Sequence, residues 1–474
     1  MSTETPLRRR TKIVCTMGPA TQVPGVIERL IAAGMDCARL NMSHGSQADH
    51  LAMAEHLRKA AHEAGRPLAI LADLQGPKIR VGKFPEGPIE LVPGTEFRLS
   101  GSRLECNSER AHVSYPYLSE DLKPGEAILL DDGLLQMRVV RIEGEDVVCI
   151  VEIGGRLSDR KGVNLPGAEL RIPALTEKDR ADLEFAVKEL HADYLALSFV
   201  RKPEDILEAQ ALAQGTPVIA KLEKPDALTN LEAILDVADG AMVARGDLGV
   251  ELGSEKVPMA QKRIIAESNR RGKLVITATQ MLDSMIRNPR QTRAEAADVA
   301  NAVLDGTDAV MLSGETAAGV YPIESVQMMD AIVREAEGAP IFSTALPESV
   351  LVQGGWEFAS AAARSAALLS HILPLSAVVV VTRTGKSAEL LSGYRPRKPI
   401  HAITWEEPTF RRLALRWGVE SHLVLPVTTL DDAHDVASRS LRKAGIEPRS
   451  EYALVTASHA DKQTNMVVLR HVDA

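Results

Sequence analysis

Lys221 and Glu223 stand two residues apart in the apolar run "VIAKLE" (218–223), so on an extended strand both side chains leave the same face and share one space. One such pair can simply neutralise itself, and in isolation that reading is as good as any functional one. The pair is not isolated. Arg39, Asn41 and Ser43 end "DCARLNMS", Asp73 falls late in "LAILADL", and Ser198 lies late in "YLALSFV". Arg245 and Asp247 end "GAMVARGD", Thr279 and Gln280 end "LVITATQ", and Ser313 and Glu315 end "AVMLSGE". In strands buried on both faces each polar side chain needs a reason, and this pattern repeats strand after strand. Glu223 and Asp247 offer hard carboxylate oxygens suited to Mg²⁺ (or Mn²⁺), which keeps several waters and also takes substrate phosphate. A lysine, a divalent ion and several arginines around one cavity suit phosphoryl transfer or stabilisation of an enolate.

A second cluster sits in "ILADLQGPKIRVG" (70–82), where Asp73, Gln75, Lys78 and Arg80 crowd around a Gly-Pro break. Eight strand candidates must carry these residues: 12–18, 36–43, 68–74, 194–200, 218–223, 240–247, 274–280 and 309–315, with amphipathic helical segments following them. Eight strand–helix units in series predict an α/β fold, a (β/α)8 TIM barrel, whose chemistry belongs at the C-terminal strand ends. A Gly- and Pro-rich stretch of short alternating runs interrupts the series and reads as an inserted small β-barrel domain. After Gly338 a further β/α series predicts a C-terminal α/β domain. The boundaries expected are 1–81 and 162–338 for the barrel, 82–161 for the insert and 339–474 for the last domain.

The 474 residues suffice for about three domains at ~150 residues each. A net charge of -9 and aromatics at only 3% argue against nucleic acid. The four cysteines lack disulfide or zinc spacing, which fits a reduced, cytoplasmic setting. No apolar h-region follows the N-terminal arginines, and the most apolar later stretch is broken by Ser, His and Pro, so neither a signal peptide nor a membrane span is expected. "VVVVTRTGKS" lacks the first glycine of a P-loop, and there is no GxSxG or HExxH.

Over nearly its whole length the chain resembles pyruvate kinase, through "TKIVCTMGPAT", "ARLNMSHG", "DLQGPKIR", "KGVNLPG", "LSFVR", "AKLEK", "MVARGDLGVE", "TATQMLDSM" and "TRAEAADVANAVLDGTDAVMLSGETAAGVYP" in that order. The resemblance implies transfer of phosphate from phosphoenolpyruvate to ADP, giving ATP and pyruvate, in a barrel with a lid and a regulatory C domain, usually as a homotetramer. It implies Glu223 and Asp247 as metal ligands, Lys221 as the cation offsetting charge on the phosphoryl group, and Arg39 as its holder. Thr279 would place substrate and relay a proton through a water chain, with Ser198 and the backbone around Gly246 also at the substrate. Asn41, His44, Arg80 and Lys161 would meet nucleotide phosphates, although a strand-end histidine is more often structural.

Thr382, Arg383, Thr384, Gly385, Lys386 and Ser387 resemble the family's loop for a phosphorylated effector, against the plainer reading of an N-cap turn. "ASHADKQTN" replaces the Gly-rich loop that completes a bisphosphate site in some relatives, so a sugar or nucleotide monophosphate is expected as readily as fructose 1,6-bisphosphate. The family's K⁺ site would fall on Asn41, Ser43, Asp73 and Leu74. Lys78 stands where many relatives carry an acid, which implies little dependence on K⁺, and the plain alternative is that Lys78 pairs with Asp73. Two rivals are a pyruvate-dependent aldolase, which needs neither lid nor Arg39 and Lys161, and a silent sugar-phosphate sensor, which would not keep Lys221, Glu223, Asp247 and Thr279.

Overall fold

The computed structural model describes residues 9–168, 170–340, 342, 350–351, 355–457 and 464–473. Short runs of β-branched and small apolar residues form β1 (Lys12–Thr16), β2 (Cys37–Asn41), β3 (Ala69–Asp73) and β4 (Tyr194–Leu197). Four more follow: β5 (Val218–Leu222), β6 (Gly240–Ala244), β7 (Leu274–Ala278) and β8 (Ala309–Leu312). Neighbours pair in parallel, and β8 pairs back onto β1 with Leu312 opposite Cys15, so the sheet closes into a barrel.

That closure decides where the polar residues fall. Ser198, Glu223, Arg245, Asp247, Thr279, Gln280, Ser313 and Glu315, expected within the strands, lie just beyond the ends of β4 to β8. Arg245 and Asp247 open a helix, Arg245–Leu252. Pairing stops there and the chain turns out to the mouth, whereas Arg39, Asp73 and Lys221 stay within the ladder near its end, where they offset one another's charge.

Between β3 and β4 a six-stranded sheet and a two-stranded ribbon, Ile89–Leu91 with Gly155–Leu157, enclose one apolar core. That core takes in Ile79 and Val81 before residue 82, and Val163 and Leu165 after residue 161. Val163–Asn164 pairs with Ala127–Leu130, so the insert's fabric starts and ends a few residues outside the stretch of altered composition.

The C-terminal unit is a five-stranded sheet in the order Val419–Leu423, Ile400–Thr404, Ala377–Val381, Glu451–Ala457 and Thr464–His471, parallel except for the last pairing. It seals the N-terminal end of the barrel. Ala414 and Leu415 join the interior cluster of Leu71, Tyr194 and Ile276, while Lys12 Nζ donates to the Val419 carbonyl at 2.8 Å. Among the described residues no helix is long and apolar enough to cross a membrane.

Candidate active site

Asp73, at the end of β3, is fully buried, and two cations converge on it. Arg39 reaches its Oδ2 at 2.6 Å and Lys221 Nζ stands 3.1 Å from its Oδ1. Burial alone would raise the Asp73 pKa, but Lys221 and then Arg39 outweigh it and hold the carboxyl below its usual range. Oδ1 is near Lys221 without hydrogen-bond alignment, so this buried oxygen keeps acceptor capacity. Lys221 also sits 3.0 Å from Glu223 Oε1 and donates to Ser198 Oγ at 2.6 Å. Burial would push its ammonium down; Asp73 and Glu223 together raise it instead, so Lys221 stays charged.

Glu223 is raised by burial, partly opposed by Lys221 and reinforced by repulsion from Asp247. Its Oε2 accepts the Phe199 N–H at 2.9 Å. Two mutually repelling carboxylates at the barrel mouth fit a divalent cation. Among the described residues no three His, Cys, Asp or Glu gather for a metal, which leaves the rest of a shell to substrate oxygens and water.

Three residues here hold backbone conformations that side chains resist, Gln280 at φ 53° among them. Phe199 has φ 57° and Thr279 φ 69°, each costing on the order of 1–3 kcal/mol. At Phe199 the twist presents the N–H to Glu223. At Thr279 it is held by Arg245, whose Nη2 donates to the Thr279 carbonyl at 2.7 Å while Nη1 bonds Asp298 at 2.6 Å. The Thr279 hydroxyl accepts the Gly246 N–H at 3.2 Å, which brings these two residues together. Glu315 does otherwise: buried, it accepts the N–H groups of Leu282 at 3.0 Å and Ser313 at 2.7 Å, fastening the turns after β7 and β8.

The turn 74–80 faces the lid. Ser198 Oγ donates to the Leu74 carbonyl at 2.7 Å, and Asn41 Oδ1 accepts the Ser43 N–H at 3.1 Å. Lys78 does not pair with Asp73, whose carboxylate Arg39 and Lys221 already claim; it lines a narrow cavity of about 30 Å³ with Asp247, Phe199, Gly162 and Asn164. Arg80 donates to the Arg160 carbonyl at 3.1 Å, and Lys161 pairs with Asp131 at 2.7 Å, so both sit at the junction of lid and barrel. His44 is exposed, its carbonyl bonded to His50 Nε2 at 2.8 Å. Sequence reasoning missed a latch here: Glu251 binds Lys224 at 2.6 Å and lid Asn164 at 2.8 Å. The nearest signal was Lys224 directly after Glu223.

Comparison with known proteins decides what this mouth belongs to. Residues 8–326 match the family model for the pyruvate kinase barrel domain and residues 360–469 that for its alpha/beta domain. The chain belongs to the pyruvate kinase family. A pyruvate kinase of Geobacillus stearothermophilus is 44% identical over 462 residues, covering 95% of this chain and 78% of the relative. One from Clostridium perfringens is 42% identical over 456 residues, covering 95% and 96%. The crystal structure of a pyruvate kinase from Cryptosporidium parvum superposes with a TM-score of 0.90 at 34% identity, over 98% of this chain and 96% of that one. The family's reaction is this chain's: a phosphotransferase that converts phosphoenolpyruvate and ADP to pyruvate and ATP.

In the C-terminal unit the 382–387 loop joins strand Ala377–Val381 to helix Lys386–Gly393. Gly385, at φ 92°, is the N-cap and donates its N–H to Thr382 Oγ1 at 3.0 Å, while Ser387 Oγ meets Thr464 Oγ1 at 2.7 Å. Thr382, Arg383, Thr384 and Ser387 line one cavity with Trp356 and Trp405. Most of the segment replacing the Gly-rich loop, residues 458–463, lies outside the described residues.

Proposed function

We propose that the phosphoryl-transfer site of this enzyme is built on Lys221, Arg39, Glu223, Asp247 and Thr279. The observation that carries the reading is the fully charged, enclosed Lys221, 3.0 Å from Glu223 and 3.1 Å from Asp73, beside two carboxylates suited to Mg²⁺. Glu223 and Asp247 would hold the ion, which supplies Lewis-acid neutralisation of substrate oxygens. Lys221 and Arg39 supply positive charge where the phosphoryl group leaves enolpyruvate, preorganised by Asp73 so that no side chain needs to reorient. Thr279, fixed by Arg245, orients substrate and passes a proton toward the methylene carbon through water, since a hydroxyl alone is a poor acid. Ser198 and Gly246 complete the substrate face; Asn41, His44, Arg80 and Lys161 meet the nucleotide phosphates. Glu223→Gln should weaken Mg²⁺ dependence and turnover together in a lactate-dehydrogenase-coupled assay. A variant with the wild-type metal titration refutes the ligand assignment.

The reading extends to regulation and ions. Thr382 to Ser387 would take a phosphorylated sugar or nucleotide effector; loop hydroxyls on a shared cavity support it. Little dependence on K⁺ is supported by Asp73, already neutralised by two cations, and by Lys78 in the adjoining turn. Exchange of K⁺ for a bulky organic cation at constant ionic strength should leave the rate within about twofold, while loss of activity would overturn this part. A homotetramer is supported by the exposed apolar Phe358 and Ile372 and by the edge strand Thr464–His471, and sedimentation equilibrium measures it. A cytoplasmic location accords with the glycolytic relatives and four free, buried thiols.

A further inference from the structure

A basic hollow lies where the end of helix Gln47–Glu63 and the chain after it meet the C-terminal unit, and the catalytic reading leaves it unused. It offers about 720 Å³ of room for water-sized ligand atoms. Arg58, Arg66, Arg411, Arg439 and Lys443 line it, against one carboxylate, Glu407. Five cations to one anion in the lining, in a chain of net charge -9, concentrate positive charge in one hollow.

The five are not equivalent. Arg58 and Arg411 share Asp193 at 2.8 and 3.1 Å, Arg411 also reaches Glu407 at 2.9 Å, and Arg66 donates to the Ile31 carbonyl at 2.5 Å. Arg439 and Lys443 make no ion pair or hydrogen bond among the described residues. Four apart on helix Leu430–Lys443, they project from one face, and both line the hollow. Two adjacent uncommitted cations suit a dianion, because a single carboxylate would leave one without a partner, and the arginine fork matches phosphate oxygens two at a time. Phe410 and Val424 supply an apolar part of the same lining.

We propose that this hollow is an anion site separate from the 382–387 loop, taking a phosphomonoester whose body carries a ring or apolar face. The phosphoryl dianion bridges Arg439 and Lys443 within the field of Arg66 and Arg411, and the body lies on Phe410 and Val424. The proposal stands apart from the catalytic assignments and can fail without them.

Titration calorimetry of the full-length protein with phenyl phosphate, in buffer without divalent metal, tests it. Saturable binding that weakens with added salt is expected. Arg439→Gln/Lys443→Gln should raise its Kd about tenfold or more, since each charge-assisted contact is worth roughly a factor of ten. Both residues are exposed, and an unchanged unfolding midpoint checks that the variant folds. Thr384→Ala/Ser387→Ala should leave this binding unchanged. No saturable binding, equal affinity in the Arg439/Lys443 variant, or loss only in the loop variant would each overturn the site. Phenol binding as well as phenyl phosphate would do the same, by removing the charge from the recognition.

Discussion

At the barrel mouth one buried carboxylate, Asp73, faces two cations, Lys221 and Arg39, and Lys221 in turn also faces Glu223. Lys221→Met removes the charge proposed to meet the departing phosphoryl group, so turnover should fall by about 100- to 1000-fold or more. Ketonisation of enolpyruvate supplied separately should survive, and single-turnover measurement of both half-reactions separates them; unchanged turnover would remove Lys221 from the mechanism. Asp73→Asn should cost roughly 3–5 kcal/mol, because it leaves Lys221 and Arg39 enclosed with less opposing charge. The folded-state pKa of Asp73 is depressed, so its stabilisation is present above the unfolded carboxylate value and is lost as pH falls through the folded one. The difference between wild type and Asp73→Asn in denaturant unfolding should therefore be constant near neutrality and shrink below about pH 4. A difference that is flat to pH 2 would deny the coupling.

Among the elements, the turns after the strands do the positioning, and their backbone is tight. Gly76, at φ 69°, leaves no room for a side chain: an added Cβ would stand 2.6 Å from Phe199 Cδ2 and 2.9 Å from Ser198 Cβ. Phe199 presents its N–H to Glu223 and Ser198 receives Lys221, so Gly76→Ala should disturb both at once. Its expected signature is a loss of kcat of at least about tenfold with a stability loss of about 1–3 kcal/mol, measured by coupled assay and calorimetry. Normal kcat in a destabilised protein would show the turn to be structural only. The sequence announced a break at Gly76-Pro77. It did not announce what lay against it, because Phe199 is distant in sequence and arrives only through the pairing of β3 with β4.

Across the whole molecule, barrel and C-terminal unit share one piece of core. Leu415 is fully buried among side chains of the barrel interior, so Leu415→Ala should cost about 2–5 kcal/mol. Both units should lose stability together, read as one shifted transition in thermal unfolding followed by far-UV circular dichroism. A barrel that melts unchanged while the C-terminal unit melts early would contradict this shared core. Asp193 works at the same seam, tying Arg58 of the barrel to Arg411 of the C-terminal unit and accepting the Ile70 N–H of β3 at 2.8 Å.

By itself the sequence determined the eight strands, the interruption after the third, the closing α/β series and the gathering of polar residues at one end. These follow from local pattern: period, breaker residues and the cost of burying charge. Only the tertiary structure decided how those residues divide the work. Asp73 became the counterion of Lys221 and Arg39 rather than of Lys78, Glu315 became a fastener of turns, and Thr279 took a conformation its own side chain disfavours. Each outcome depends on which strand lies beside which, and that is settled by closure of the barrel, not by any neighbour along the chain.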